Sequence, residues 1–229
     1  MSQFAVIGLG QFGFKVATTL SELGGEVLAI DADKAIIESV KDKVDRAVCI
    51  DCTEEHSLHA TGIADIDTVV VAIGQHLEIS LVTTALLRKF GVPKIVARAS
   101  TPLHAQILDL IGAQKVINPE DQMAVVTAQT LITPDVYNRV PIAGNLIVAE
   151  IGAKSEFVGK TLLELNFRAK YNLNVIAIRR RIPVITEEGE NAFREELNDS
   201  PAANTKIEPD DTLVVVGTDR QIRRLSKLQ

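Results

Sequence analysis

Phe4-Ala5-Val6-Ile7-Gly8-Leu9-Gly10-Gln11-Phe12-Gly13 is the stretch that decides the fold. Its four leading residues form a short apolar run of strand length, and the glycines that follow fit G-x-G-x-x-G. Val16, Ala17, Leu20 and Leu23 then recur at helical spacing until Gly24-Gly25 stops the helix. Val27 to Ile30 reads as a second strand that ends at Asp31. Strand, glycine turn, helix and strand within about 30 residues make one βαβ unit. Each glycine has a task in that reading. Gly8 permits the tight turn, Gly10 lets a phosphate approach the backbone, and Gly13 lets the helix pack on the strand. Free N–H groups and the helix dipole then attract phosphate. A carboxylate at Asp31 accepts hydrogen bonds from ribose hydroxyls and disfavours a 2′-phosphate, which argues against NADP.

Outward from this unit the alternation continues. Helices are expected over Lys34 to Lys41, His76 to Phe90, Thr101 to Leu110 and Pro119 to Leu131. Strands are expected over Ala47 to Ile50, Thr68 to Ala72, Lys94 to Ala97 and Lys115 to Ile117. Thr53 is the expected cap of a helix that opens with Glu54 and Glu55. Six strands alternating with helices predict a Rossmann-like, doubly wound parallel sheet. Thr133-Pro134, Pro141 and Gly144 read as a connection. Beyond it come short β-rich pieces: Leu146 to Ile151, Val175 to Ile178, Pro183 to Ile185 and Thr212 to Val216. Helices are expected over Lys160 to Leu165 and Asp219 to Leu228, and the acidic stretch Glu187 to Asn204 as an exposed insertion. The chain is therefore expected to be α/β over residues 1–138 and a small α+β domain over 139–229.

The 229 residues carry 46% hydrophobic and 24% charged side chains, the balance of a soluble globular protein. A net charge of −6 argues against general nucleic-acid binding, which leaves a basic footprint. No apolar run reaches the roughly 20 residues that cross a bilayer, so membrane association is expected to go through a partner. No secretory signal is read at the N-terminus. The two cysteines, Cys49 and Cys52, fit a reducing cytoplasm.

Further candidates sit where other strands end. Asp33 is placed either to assist Asp31 or to cap the helix near Lys34. Asp51 closes the third strand, where an adenine would lie. Gly74, after Ala72-Ile73, lets backbone approach a ligand. Arg98 either reaches a phosphate or forms a salt bridge at the sheet edge. The expected nucleotide set is Gly8, Gly10, Gln11, Phe12, Gly13, Asp31, Asp33, Asp51, Cys52, Ala72, Ile73, Gly74 and Arg98. Cys49-x-x-Cys52 with His56 and His59 has the look of a metal set. Cys49 lies in a strand expected to be buried, however, and Glu54-Glu55 suits an ordinary helix start. A dehydrogenase needs an acid/base group beside its hydride site. All four histidines fall in the first domain on helices or their first turns, and the second domain has none.

The whole sequence resembles the RCK family, regulators of potassium conductance, and within it the Ktr/Trk-type regulatory subunits. The resemblance is carried by residues 4–10 and by Glu26-Val27-Leu28-Ala29-Ile30-Asp31. Val70-Val71-Ala72-Ile73-Gly74, Ile111-Gly112-Ala113 and Asn118-Pro119-Glu120 extend it through the first domain. Leu165-Asn166-Phe167-Arg168-Ala169-Lys170-Tyr171 and Asp210-Asp211-Thr212-Leu213-Val214-Val215-Val216-Gly217 extend it through the second. It implies a subunit that assembles into a ring, usually an octamer. The ring docks on the cytoplasmic face of an integral membrane potassium transporter of the KtrB or TrkH kind. ATP and ADP, or in some relatives NAD and NADH, bind the first domain and favour different ring shapes. Family ligand roles fall on Gly8, Gly10, Asp31, Asp33, Asp51 and Arg98. Glu120 matches a glutamate that holds a divalent cation, magnesium or calcium, between subunits; alternatively it is ordinary first-turn helix charge. Asn166, Arg168 and Arg180 match the region where some relatives bind cyclic di-AMP; a solvated basic strand end is the other reading. Gln11 stands where Ktr-type subunits commonly carry an arginine that reaches the γ-phosphate of a nucleotide in the neighbouring subunit, and Lys15, one helical turn on, is the candidate replacement charge. The expected function is regulation of potassium transport without catalysis. A regulator of another cation channel or antiporter comes second, and an NAD-dependent dehydrogenase third.

Overall fold

A computed structural model of the chain describes residues 2–185 and 191–226. It divides into two compact units, Met1–Gln122 and Met123–Gln229. The first unit runs β1 (Gln3–Ile7), α1 (Gln11–Glu22), β2 (Glu26–Asp31), α2 (Lys34–Val40), β3 (Arg46–Cys49) and α3 (Glu55–Ala60). It continues with β4 (Thr68–Val71), α4 (Leu77–Lys89), β5 (Lys94–Arg98), α5 (Pro102–Ile111), β6 (Lys115–Ile117) and α6 (Pro119–Ile132), the division falling inside α6.

The six strands form one sheet in the order β3-β2-β1-β4-β5-β6, and every pairing is parallel. Helices cover both faces, which is why these strands lack a polar alternation. Ala5 and Ile7 pack with Leu28, Ile30, Val69 and Val71 on one face. Val6, between them, packs with Val27, Ala29 and Val70 on the other. Helix ends follow local chemistry. Thr101 accepts from the His104 N–H ahead of Pro102, and Gly112 ends α5 at φ +114°. Thr53 does not cap α3 as expected. Its N–H and hydroxyl both donate to Asp51 Oδ1, at 2.9 and 2.7 Å, which leaves Glu54 at the cap without a side-chain bond.

The second unit holds β7 (Val136–Ala143), β8 (Leu146–Gly152), α7 (Leu162–Leu165), α8 (Phe167–Tyr171), β9 (Asn174–Ile185), β10 (Asn191–Asn198), β11 (Thr212–Thr218) and α9 (Asp219–Ser226). Its sheet is antiparallel, in the order β10-β9-β11-β8-β7. Phe157, Phe167, Leu173, Ile178, Ile207, Leu213 and Val215 fill its core with Ile222 and Leu225 of α9. Several sequence expectations are corrected here. The stretch with Pro141 and Gly144 is strand and turn, not a connection. Pro141 is tolerated because β7 is an edge strand, and Gly144, at φ +54°, opens the two-residue turn into β8. The pieces Val175 to Ile178 and Pro183 to Ile185 belong to one strand, β9. Residues 191–198 of the supposed insertion are strand β10, while 186–190 lie outside the described residues. The end expected for the last helix, Leu228, also lies outside them. An extra helix, α8, follows Asn166, whose left-handed backbone separates it from α7.

A candidate nucleotide site at the carboxyl ends of the strands

Strands β1 to β5 deliver their carboxyl ends to one edge of the sheet, at the point where strand order reverses between β1 and β4. The turn after β1 is built by its glycines. Gly8 has φ +86°, and a Cβ there would sit 2.6 Å from Ile73 Cγ1. A Cβ at Gly13 would stand 1.9 Å from the Gly8 carbonyl oxygen, so the start of α1 lies directly against the turn. Gly10 meets nothing within 4 Å, which leaves this face of the backbone open. No side chain caps α1, so its first N–H groups face the opening without a side-chain acceptor.

Asp31 holds this turn. One carboxylate oxygen accepts from the Leu9 N–H at 2.6 Å and the other from the Asp33 N–H at 2.8 Å. A carboxylate has about four acceptor positions, so two remain for a ligand's hydroxyls. Asp33 caps α2 by accepting from the Ala35 N–H at 2.7 Å and also faces the opening. Asp51, on the β3 side, has its carboxyl held below the usual range by the two bonds from Thr53.

The opposite wall is made by β4 and β5. The Arg98 guanidinium lies over the backbone of Gly74, where a Cβ would meet Arg98 Cζ at 2.8 Å. The Phe12 ring stands 5.7 Å from it. Arg98 is ion-paired with Glu120 at the start of α6, and its Nε, though buried, has no partner among the described residues. Both readings of Arg98 thus meet at one place: it makes the salt bridge and also lines the opening.

The cavity between these walls measures about 890 Å³, within the range of small-molecule sites. Gly8, Gly10, Gln11, Phe12, Asp31, Asp33 and Asp51 line it, together with Cys52, Ala72, Ile73, Gly74, Arg98 and Glu120. Gly13 does not, because it is buried against Gly8. Lys15 is exposed on α1 and does not line this cavity. Sequence reasoning missed Ile7, Ile30, Ile50 and Ile79, the apolar lining, and His76. Most sit beside residues that were named, one step along the same strand ends. Four carboxylates on the wall, Asp31, Asp33, Asp51 and Glu120, face one guanidinium.

Other candidates are distributed differently. Cys52 is buried, takes a contact from the Thr83 hydroxyl at 3.2 Å, and has its thiol pushed up by burial. Cys49, expected inside, is exposed, because β3 is the edge of the sheet. His59 stacks edge-on against Phe90 with ring centres 5.1 Å apart. In the second unit Asn166 caps α8 by accepting from the Ala169 N–H. The Arg180 guanidinium is bidentate on Asp211, at 2.7 and 2.8 Å, and also donates to the Lys206 carbonyl. Arg168 is exposed. Two of the three residues expected at an anion site are thus engaged within their own fold.

The TrkA-N domain family matches residues 4–119, and the TrkA-C domain family matches residues 146–229. The Ktr system potassium uptake protein C of Bacillus subtilis is 36% identical over 225 residues, covering 98% of this chain and 96% of that one. The Ktr system potassium uptake protein A of the same organism is 33% identical over 222 residues, covering 97% and 94%. Among solved structures, the GsuK channel superposes with a TM-score of 0.65 at 19% identity, over 99% of this chain and 39% of that chain. The GsuK channel bound to NAD gives 0.61 at 18%, with the same coverage. This chain spans well under half of those channel chains, and at such identity the likeness concerns the fold.

Proposed function

The chain belongs to the family that pairs a TrkA-N with a TrkA-C domain and includes the Ktr system potassium uptake proteins, and we propose that it is the cytoplasmic nucleotide-sensing subunit of such a system. Residues 1–138 bind an adenine nucleotide, ATP or ADP or the dinucleotides NAD and NADH. Residues 139–229 serve assembly. The subunit forms a homo-oligomeric ring on the inner face of a membrane potassium transporter and gates it without catalysis.

The observation that carries this reading is the cavity at the strand-order reversal. There a ribose acceptor (Asp31), an open phosphate bed (Gly10 and the first turn of α1) and a guanidinium (Arg98) line one space. Ribose hydroxyls go to the free positions of Asp31, and Asp33 assists. The adenine lies toward Asp51, between the apolar residues of the strand ends. Phosphate oxygens accept from the first N–H groups of α1 and from Arg98. With four carboxylates on the wall, a triphosphate needs added positive charge, and in this reading Glu120 holds a divalent cation beside it.

Self-association has support in α6. It buries no residue within the described chain and exposes Met123, Val125, Val126, Leu131 and Ile132. A partner copy is the natural cover for such a stripe. Gating then follows from differential affinity: a ligand moves the ring between shapes only by the ratio of its affinities for them.

The test is potassium flux through vesicles containing the membrane partner, with and without this protein. Flux that responds to an adenine nucleotide with wild-type protein, and loses that response with Asp31→Ala, supports the reading. Flux indifferent to ATP, ADP, NAD and NADH alike overturns it.

A further inference from the structure

The two edges of the second unit's sheet are unlike each other. Edge β7 carries the devices that keep a strand from pairing: Pro141, a left-handed Asn138 at φ +46°, and two register shifts against β8. Edge β10 has none of these. It pairs with β9 in eight consecutive steps, from Asn191↔Ile185 to Asn198↔Ile178, with no proline, glycine or positive φ.

Part of this edge also extends past the sheet. Strand β11 pairs with β9 only between Asn174 and Arg179. Beyond that point residues 180–185 of β9 and 191–196 of β10 form a two-stranded ribbon, which is marginal in water without a further strand or cover. One face of the β9–β10 pair shows Ile185 and Phe193 on the ribbon and Leu197 just before it, at 75%, 60% and 61% exposure, with Arg181 5.0 Å over the Phe193 ring.

We infer that β10 pairs with β10 of a second copy of this chain, antiparallel about a two-fold axis at Glu195, so that two sheets join edge to edge. A two-fold perpendicular to a sheet keeps each residue on its face, so directly opposed residues must have the same parity and the axis must pass through a residue. Centred on Glu195, the register sets Phe193 against the partner copy's Leu197 and Arg194 against the partner copy's Glu196. Each pair occurs twice. Centred on Arg194, it sets arginine against arginine and Phe193 against a glutamate. Centred on Glu196, it loses the ion pair and opposes Glu195 to a leucine. Only the first register is complementary in both charge and apolar surface. Its one like-charge contact, Glu195 against itself, is tempered by arginines already present. Glu195 is bonded by Arg179 at 3.4 Å and is the register partner of Arg181.

The test uses the full chain with Cys49→Ser, so that no exposed native thiol interferes. Opposed residues in an antiparallel pair have Cα atoms about 4.5–5.5 Å apart, within disulfide reach. Glu195→Cys is therefore expected to give a disulfide-linked dimer on mild oxidation. Phe193→Cys alone is not, since its two copies stand about 14 Å apart along the strands. A mixture of Phe193→Cys and Leu197→Cys chains links again. Arg194→Glu weakens the linkage of Glu195→Cys roughly tenfold, because two ion pairs per dimer turn repulsive, and adding Glu196→Arg restores it. An unlinked Glu195→Cys chain overturns the inference. So does Phe193→Cys linking by itself as readily as Glu195→Cys, or a charge swap that fails to restore the linkage.

Discussion

Alanine at Gly10 and alanine at Gly13 separate what the glycine turn does for the fold from what it does for a ligand. At Gly13 the added Cβ would stand 1.9 Å from the Gly8 carbonyl oxygen and 2.9 Å from Ala72 Cβ. Neither neighbour is the flexible end of a side chain, so α1 must shift away from β1. That places the change at the upper end of overpacking, about 3 kcal/mol. At Gly10 the Cβ meets nothing, and the backbone there, φ −60° and ψ −178°, suits any residue. A small loss of capping preference and a small gain from restricting the unfolded chain leave the fold unchanged within about 0.5 kcal/mol. The same methyl group occupies the phosphate bed, so nucleotide affinity falls at least roughly tenfold, or about 1.4 kcal/mol. Hydrogen exchange read by mass spectrometry gives the first quantity, since about 3 kcal/mol speeds opening of the β1 and β2 amides by roughly a hundredfold. Calorimetric titration gives the second. If Gly10→Ala binds nucleotide like the wild type, phosphate does not lie on this turn. If Gly13→Ala exchanges like the wild type, the helix is not packed as described.

Three more expectations follow from the same structure. Glu120→Gln removes the carboxylate beside Arg98, so ATP binding loses its dependence on magnesium while ADP binding changes less; unchanged magnesium dependence in titrations contradicts this. Thr53→Val removes the hydroxyl bond, the larger of the two causes that hold the Asp51 carboxyl low, and leaves the backbone N–H bond, so its pKa rises part of the way toward the ordinary value. Because that pKa is depressed, the stabilisation it reflects is present above the ordinary carboxylate value and is lost as pH falls through the lowered one. Carbon-detected titration of Asp51 below pH ~4 should show the shift, and an identical curve in the variant contradicts the assignment to Thr53. Arg180→Ala leaves the buried Asp211 carboxylate without its bidentate partner. The loss is about 2–3 kcal/mol in urea denaturation, less than for a fully buried pair because Arg180 is partly in water. A loss within error would show that the pair contributes no net stability.

The first unit was legible because several local signals agreed. Its apolar runs have strand length, its glycines open helices, and strands covered on both faces give unbroken runs such as Thr68 to Val71. The strand ends alone put Asp31, Asp51, Gly74 and Arg98 on one edge, since a parallel sheet brings all its carboxyl ends together. The second unit was less legible because its edges break the rules of central strands. Pro141 suggested a loop in β7, where an edge tolerates it. Strand β10 is exposed on both faces along nearly its whole length, so it shows no alternation and reads as a polar insertion. Cys49 fails the same way, since apolar neighbours suggest burial and only the sheet order reveals β3 as an edge. Thr53 has the residue type of a cap, which accepts an N–H, but here its hydroxyl and N–H donate to Asp51 and the helix starts one residue later, a choice that spacing does not resolve. The pairing of Arg180 with Asp211 joins positions 31 residues apart and depends on tertiary structure alone.

The most direct test of the account is calorimetric titration of the full chain with ATP, ADP, NAD and NADH, with magnesium present and absent, beside the Asp31→Ala variant. Saturable binding of an adenine nucleotide at one site per chain, lost in Asp31→Ala, is the predicted result. A folded protein that binds none of the four ligands, or binds them equally well without the Asp31 carboxylate, would contradict a nucleotide site at this edge of the sheet.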